Sequence, residues 1–299
     1  MTQAGRNMRR SRKNKIKDGG VAVKIVSYTY LIIFSLLILV PFYIMLKTSI
    51  TGEVETAENL RFIWWPKNPT LENYEKVLTT DALSRYGIGI LRALWNTVWM
   101  GFPPMLSSIF ITGLLSFVIA KLNFKAKDKV MTFTLARAMI PGVLTTIPSY
   151  LYWNWLGLTN TAVPLMIGGL SGGGIGMLFY ISFYKGIPDD LIAAAKIDGM
   201  SYLRIYTNIM LPLAKPAFVA QIIFGAIGAW NNYMGPLLYL NGKLDLYPLA
   251  LALMLYQTLV GANKGMMTAI ITLSMIPVLI FYCFTQRFFT EGIVMTGIK

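Results

Sequence analysis

The sequence predicts an all-α membrane protein with six transmembrane helices. Three observations carry that expectation. First, only 13% of the 299 residues are charged and 55% are hydrophobic, with a mean hydropathy of +0.56; soluble domains carry about 25% charged residues. Second, the apolar residues come in blocks near the ~20 residues that a helix needs to cross a bilayer core. Third, basic residues collect in alternate segments between the blocks, as they do when those segments stay in the cytoplasm.

The spans are expected at about 25–46, 93–120, 130–153, 160–183, 216–240 and 266–286. The first follows a basic tail, residues 1–24, which holds Arg6, Arg9, Arg10, Arg12, Lys13, Lys15, Lys17 and Lys24 against Asp18. A secretory signal would have an apolar stretch of about 7–15 residues and then a small-residue cleavage site. This block is longer and runs into Pro41 and Phe42, so it reads as a retained span. A long polar loop, 48–91, comes next. The fourth block is interrupted by Gly168, Gly172 and Gly176, so five spans is the alternative count. Those glycines, spaced four apart, read as close helix packing through small residues. A flexible break used in gating is the other reading. The membrane domain is taken as 25–290, with a cytoplasmic tail at 291–299.

Orientation follows from the lysines and arginines. Loop 121–129 holds Lys121, Lys125, Lys127 and Lys129, and segment 184–215 holds Lys185, Lys196, Arg204 and Lys215. Loop 48–91 has four basic but six acidic residues, and 154–160 has no charge. Both termini, loop 121–129 and segment 184–215 are therefore expected in the cytoplasm. The formal charge of +14 could suggest nucleic acid. Its distribution suits anionic lipid instead, and no nucleic-acid partner is expected.

Several chemistries drop out. The chain has no histidine and one cysteine, Cys283. That excludes histidine-based triads, and a disulfide or zinc cluster within the chain; no metal and no catalytic residue is expected. No acidic residue falls mid-span, so a carboxylate proton relay has no support. Arg137 is the exceptional charge within a span. It is read as snorkelling toward the cytoplasm, with a path-lining or helix-pairing role as the alternative.

The most informative stretch is polar: Ile187 to Ala217 reads IPDDLIAAAKIDGMSYLRIYTNIMLPLAKPA. Pro188 fits a first helical position, where its missing N–H costs nothing. Asp189 and Asp190 suit the positive end of a helix dipole. Leu191, Ile192, Ala194, Ala195 and Ile197 give a short apolar face, and Gly199 suits a left-handed C-terminal cap. Met200 to Met210 form a second helical stretch, ended by Pro212. Two short helices joined at Asp198-Gly199 are thus expected at the cytoplasmic surface, between spans four and five. An ordinary interfacial loop would not need Ala193, Ala194 and Ala195 in a row. Small residues let a partner's groove grip a helix closely.

Here the chain resembles the permease subunits of prokaryotic ABC importers. Their EAA loop has the pattern E-A-A, three residues, G, nine residues, I-x-L-P. This chain carries Ala193-Ala194-Ala195, Gly199, Ile209 and Leu211-Pro212 at that spacing, with Ala193 in place of the usual Glu. Further stretches are similar to the carbohydrate-type, maltose-G-like permeases: Asn68 to Tyr74, Met139 to Gly142, Ile147-Pro148, Leu156 to Leu158, Trp230-Asn231, and Gln286 to Phe289 followed by Gly292 and Gly297.

The resemblance implies a multi-pass bacterial inner-membrane permease with a coupling-helix loop. Asp190, Ala193, Ala194, Ala195, Asp198, Gly199, Ile209, Leu211 and Pro212 would engage the ATPase. It also implies a second permease, an ATP-binding-cassette ATPase dimer that holds ATP and Mg, and an extracytoplasmic solute-binding protein. This chain has no G-x-x-x-x-G-K-[ST] stretch and is expected to bind no cofactor itself. For solute contact the candidates are Trp230, Asn231, Asn232 and Tyr233, because a stacking ring beside amide groups suits a polyhydroxylated ligand. A sugar or oligosaccharide is the expected cargo. The alternatives are a non-sugar solute such as glycerol phosphate or a polyamine and, more remotely, a secondary transporter or a membrane-embedded enzyme.

Overall fold

The computed structural model describes residues 21–58, 64–79 and 89–296, excepting the side chains of 22, 57, 58, 171 and 289–296. The basic tail up to residue 20 lies outside the described residues. In order, the helices are α1 (Val21–Ser49), α2 (Glu72–Thr79), α3 (Ile90–Lys121), α4 (Lys127–Met139), α5 (Gly142–Trp155), α6 (Val163–Gly168), α7 (Ile175–Lys185), α8 (Asp190–Ile197), α9 (Tyr202–Leu213), α10 (Lys215–Trp230), α11 (Met234–Tyr239), α12 (Leu249–Val260) and α13 (Lys264–Thr296). A short turn of helix, Glu53–Glu58, precedes α2. Among the described residues there is no strand, only an isolated bridge between Thr51 and Pro69.

Helix α3 is the centre of the fold. It packs against α6, α7, α10 and α12, while α13 packs against α1, α2 and α12. Two clusters make the core. One joins α3 to α12 and α13 through Ile90, Ala93, Leu249, Tyr256 and Ile270. The other joins α3 to α7 and α10 through Phe117, Tyr180, Tyr184 and Phe218. Helix α1 is exposed along most of its apolar length, from Val21 to Leu46. That is the pattern of a helix solvated by lipid.

Among the described residues three helices are long and apolar enough to cross a membrane: Val23–Ser49, Ile90–Lys121 and Lys264–Phe288. Two further candidates are bent pairs, which raise the count to at most five. Helices α4 and α5 meet at 94°, where Pro141 lacks a donor and Ile140 is held extended at ψ 116°. Helices α9 and α10 meet at 76° beside Ala214, just before Lys215-Pro216.

The expected fourth span is not one helix. Helix α6 gives way to a 3-10 turn at Gly169–Ser171, and Gly172, Gly173 and Gly174 follow at φ 54°, 87° and 76° before α7 begins. Three successive left-handed residues are accessible because glycine has no Cβ. The small-residue stripe expected of Gly168, Gly172 and Gly176 needs a continuous helix, which the break removes. Close helix approach occurs at other glycines. A Cβ on Gly113 would meet the Phe218 ring at 2.3 Å, one on Gly169 the Pro104 carbonyl at 2.3 Å, and one on Gly225 Met105 at 2.8 Å.

Unwound backbone at membrane depth must find partners inside the protein, and α3 and α4 supply them. The Gly173 N–H donates to Thr112 Oγ1 at 2.8 Å, and Arg137 Nη1 donates to the Gly172 carbonyl at 3.4 Å. Arg137, an exposed side chain, thereby reaches the glycine break from α4.

The segment after α1 is also tied down. Asn73 is buried and donates to the carbonyls of Ser49 (2.9 Å) and Thr51 (2.8 Å). This supplies donors to carbonyls that the end of α1 leaves without helical partners. Two features lie beyond the sequence expectation. Helix α12 is apolar but too short for a span, and α13 runs on to Thr296, through most of the expected tail.

Candidate functional site

The polar segment folds as two short helices joined by a tight turn. Helix α8 ends in a Schellman motif: the Gly199 N–H donates to the Lys196 carbonyl (3.0 Å) and the Met200 N–H to the Ala195 carbonyl (2.9 Å), with Gly199 at φ 77°. The expected cap at Asp198-Gly199 is therefore present. Across the turn, Lys196 Nζ sits 3.5 Å from the centre of the Tyr202 ring. Ser201 caps α9, accepting from the Arg204 N–H at 3.4 Å.

Helix α9 departs from expectation at its far end. Pro212 does not stop it. A π-turn over Tyr206–Met210 lets the Leu211 N–H reach back to the Tyr206 carbonyl, and the chain stays helical to Leu213. Such a turn widens the helix just where Pro212 takes away a donor. The chain then bends at Ala214.

The expected apolar face of α8 is split between two sides. Ile192 and Ala195 pack into the cluster formed by Tyr184, Ile205, Tyr206 and Met210, and Ala195 is 4% exposed. Leu191, Ala193, Ala194 and Ile197 face outward, and Ile197 is 88% exposed. Ala195 therefore seats α8 on its own chain, leaving Ala193 and Ala194 as the small residues on the open side. Asp190, Asp198 and Gly199 are exposed as well, together with Pro212, while Ile209 and Leu211 are half-buried. Asp189 is exposed too, and Lys121 Nζ, at the end of α3, lies 2.5 Å from its Oδ1.

A cleft of about 240 Å³ opens along the first half of α3, lined by Asn96, Thr97, Met100, Ser108, Leu165 and Asn232 among others. Of the four proposed solute contacts, only Asn232 lines it. Trp230 packs against the cluster around Tyr256. Asn231 Nδ2 donates to the Ile227 carbonyl of its own helix at 2.9 Å, and the Tyr233 hydroxyl donates to Met254 Sδ at 2.9 Å. Sequence reasoning missed Asn96 and Thr97. Both lie on α3, a helix called as a span, and two polar residues in a row near the start of an apolar block were the available signal.

Residues 109–293 match the family model of the binding-protein-dependent transport system inner membrane component. The chain belongs to this family. Among the similar proteins, the probable starch degradation products transport system permease AmyC of Thermoanaerobacterium thermosulfurigenes is 31% identical, over 90% of this chain and 94% of its own. The arabinooligosaccharides transport system permease AraQ of Halalkalibacterium halodurans is 26% identical, over 87% and 90% respectively. A solved bacterial ABC transporter involved in the import of the acidic polysaccharide alginate shares the fold: TM-score 0.74, 21% identity, 90% of this chain and 96% of the other covered.

Several stretches that resemble other permeases fall on places where this transport component bends or is stapled. Met139 to Gly142 is the 94° bend between α4 and α5. Leu156 to Leu158 closes α5, with Gly157 at φ 68°. Trp230-Asn231 ends α10, and Asn73 staples α1. Among the described residues no group of acidic or cysteine side chains could hold a metal ion.

Proposed function

We propose that the chain is one permease subunit of an ABC importer for a sugar or oligosaccharide, driven by a separate ATPase that docks on segment 188–212. The observation that carries the reading is α8. It is a short, rigidly capped helix whose outward side offers Ala193, Ala194 and Ile197, while its inward side is anchored by Ile192 and Ala195. Small and apolar residues on an exposed helix suit a groove in a partner protein. The named functions of AmyC and AraQ support the carbohydrate cargo. A second permease would complete the path, a solute-binding protein would deliver the cargo outside, and ATP and Mg would belong to the ATPase. Six spans, with both termini cytoplasmic in a bacterial inner membrane, complete the reading. Broken α6–α7 then counts as the fourth span.

The test is affinity purification of the tagged permease from a gently solubilised membrane. The expected result is recovery of an ABC ATPase and a second permease, with ATP hydrolysis stimulated by a solute-loaded binding protein. Ile197→Asp should remove the ATPase and spare the second permease. Purification of this chain alone, from membranes that contain the candidate partners, would sink the proposal.

A further inference from the structure

Lys121 combines burial, charge and position in a way that the docking surface does not use. It is the last residue of α3, and its side chain is only 3% exposed. Its Nζ lies 2.5 Å from the Ile187 carbonyl and 2.5 Å from Asp189 Oδ1. Ile187 ends the turn after α7, and Asp189 opens α8. One ammonium therefore joins three elements. An ammonium has donors only, and a buried one is strongly disfavoured without partners. The contacts consequently resist separation of the joint.

The joint needs such a tie. Helix α8 hangs between two turns, at Gly186–Pro188 and at Gly199, either of which could act as a pivot. At its far end α3 is tied as well. Asn96 Nδ2 donates to the carbonyls of Asp245 (2.9 Å) and Tyr247 (3.2 Å), and Thr97 Oγ1 accepts from the Leu249 N–H (2.8 Å). Between the two ends, Met100, Pro104 and Ser108 of α3 line the cleft. A shift of α8 that preserves the Lys121 contacts must move the end of α3, and the turns of α3 between Lys121 and Ser108, which precede the Pro103-Pro104 pair from that end, pass the shift to the cleft.

We propose that Lys121 is the positioning residue that ties α8 to α3, so that displacement of the coupling helix reaches the cleft. The proposal rests on the coupling reading given above. Its test reads the cleft directly. In the copurified complex, with Cys283→Ser as background, Ser108→Cys reports through its rate of alkylation by N-ethylmaleimide, with and without ATP plus vanadate.

In the parent complex, trapping with ATP and vanadate should change that rate by about 5-fold or more, the low end of typical coupling between sites. Lys121→Met should keep the ATPase bound and vanadate-sensitive but cut the change to less than about 2-fold on the same scale. Lys121→Arg should restore most of it. Asp189→Asn, a change at an exposed carboxylate, should weaken it and decides the matter if Lys121→Met does not assemble. An undiminished labelling change in either Lys121→Met or Asp189→Asn overturns the proposal, as does a parent complex with no change. Absence of the ATPase from the parent complex would instead defeat the coupling reading itself.

Discussion

Phe218 lies directly over Gly113, so close that a Cβ on the glycine would stand 2.3 Å from the ring's Cζ. The pair fixes how near α10 can come to α3. Gly113→Ala forces the ring aside in a cluster that already packs Phe218 against Tyr180 at 4.7 Å between centroids. Overpacking of this kind costs about 1–3 kcal/mol. The expected outcome is a lower thermal aggregation midpoint for the detergent-solubilised protein. Gly228→Ala is the control, because that glycine lies inside α10 with open space where a Cβ would go. It should leave the midpoint unchanged or raise it, since alanine in a helix is favoured by about 0.5–1 kcal/mol.

The glycine break between α6 and α7 depends on its partners. Thr112→Val keeps the shape of a buried side chain but takes the acceptor from the Gly173 N–H. Leaving a buried donor unsatisfied costs about 1–3 kcal/mol. Gly172→Ala should be at least as damaging, because φ 54° strains alanine and its Cβ would meet Ile111 at 2.8 Å. Gly174→Ala carries the strain without the contact and should fall between Gly172→Ala and the wild type. Midpoints of thermal unfolding for the three variants test that order.

Much of this was legible in the sequence, and the failures share a cause. Hydropathy located α1, α3 and α13 because an unbroken apolar helix needs only length. It could not show that Pro141 turns the third block through 94°, and it left a break at the glycines of the fourth as one of two readings. The glycine break is held by partners elsewhere in the chain, Thr112 and Arg137. The polar segment 188–212 was legible at Gly199, where only the local backbone decides. The sides of α8 were not, because burial of Ala195 depends on Tyr184 and Tyr206. Nor could the sequence show that Asn231 turns back onto its own helix while Asn232 faces the cleft.

The turn at Gly199 can be graded by substitution. Gly199→Ala meets no neighbour, so its only penalty is φ 77°, a left-handed strain of about 1–2 kcal/mol for a residue with a Cβ. Gly199→Asn should be milder, because asparagine tolerates that region. Gly199→Pro cannot adopt the angle and loses the N–H that reaches Lys196. The expected series in solute-stimulated ATP hydrolysis is wild type, Asn, Ala, then Pro with stimulation abolished. Membrane insertion should be equal throughout, as judged by the yield of extracted protein. Full stimulation in Gly199→Pro would remove the capped turn from the coupling mechanism.

The cleft separates two adjacent asparagines. Asn232 lines it beside Asn96 and Thr97, its Oδ1 accepting from the Gly235 N–H at 3.3 Å, whereas Asn231 donates to the Ile227 carbonyl and does not line it. A polar side chain that meets a hydroxylated solute only in passage lowers the barrier to its movement, and replacement by an isosteric apolar group removes that help. Asn232→Leu should therefore slow uptake by about ten-fold, the equivalent of one hydrogen bond of roughly 1.4 kcal/mol. Asn231→Leu should change uptake less than about two-fold on the same scale, because its amide serves the end of α10. Initial rates of radiolabelled oligosaccharide uptake, at matched expression, measure both. If Asn231→Leu is the slower of the two, the path runs along the outside of α10 and the cleft is not part of it.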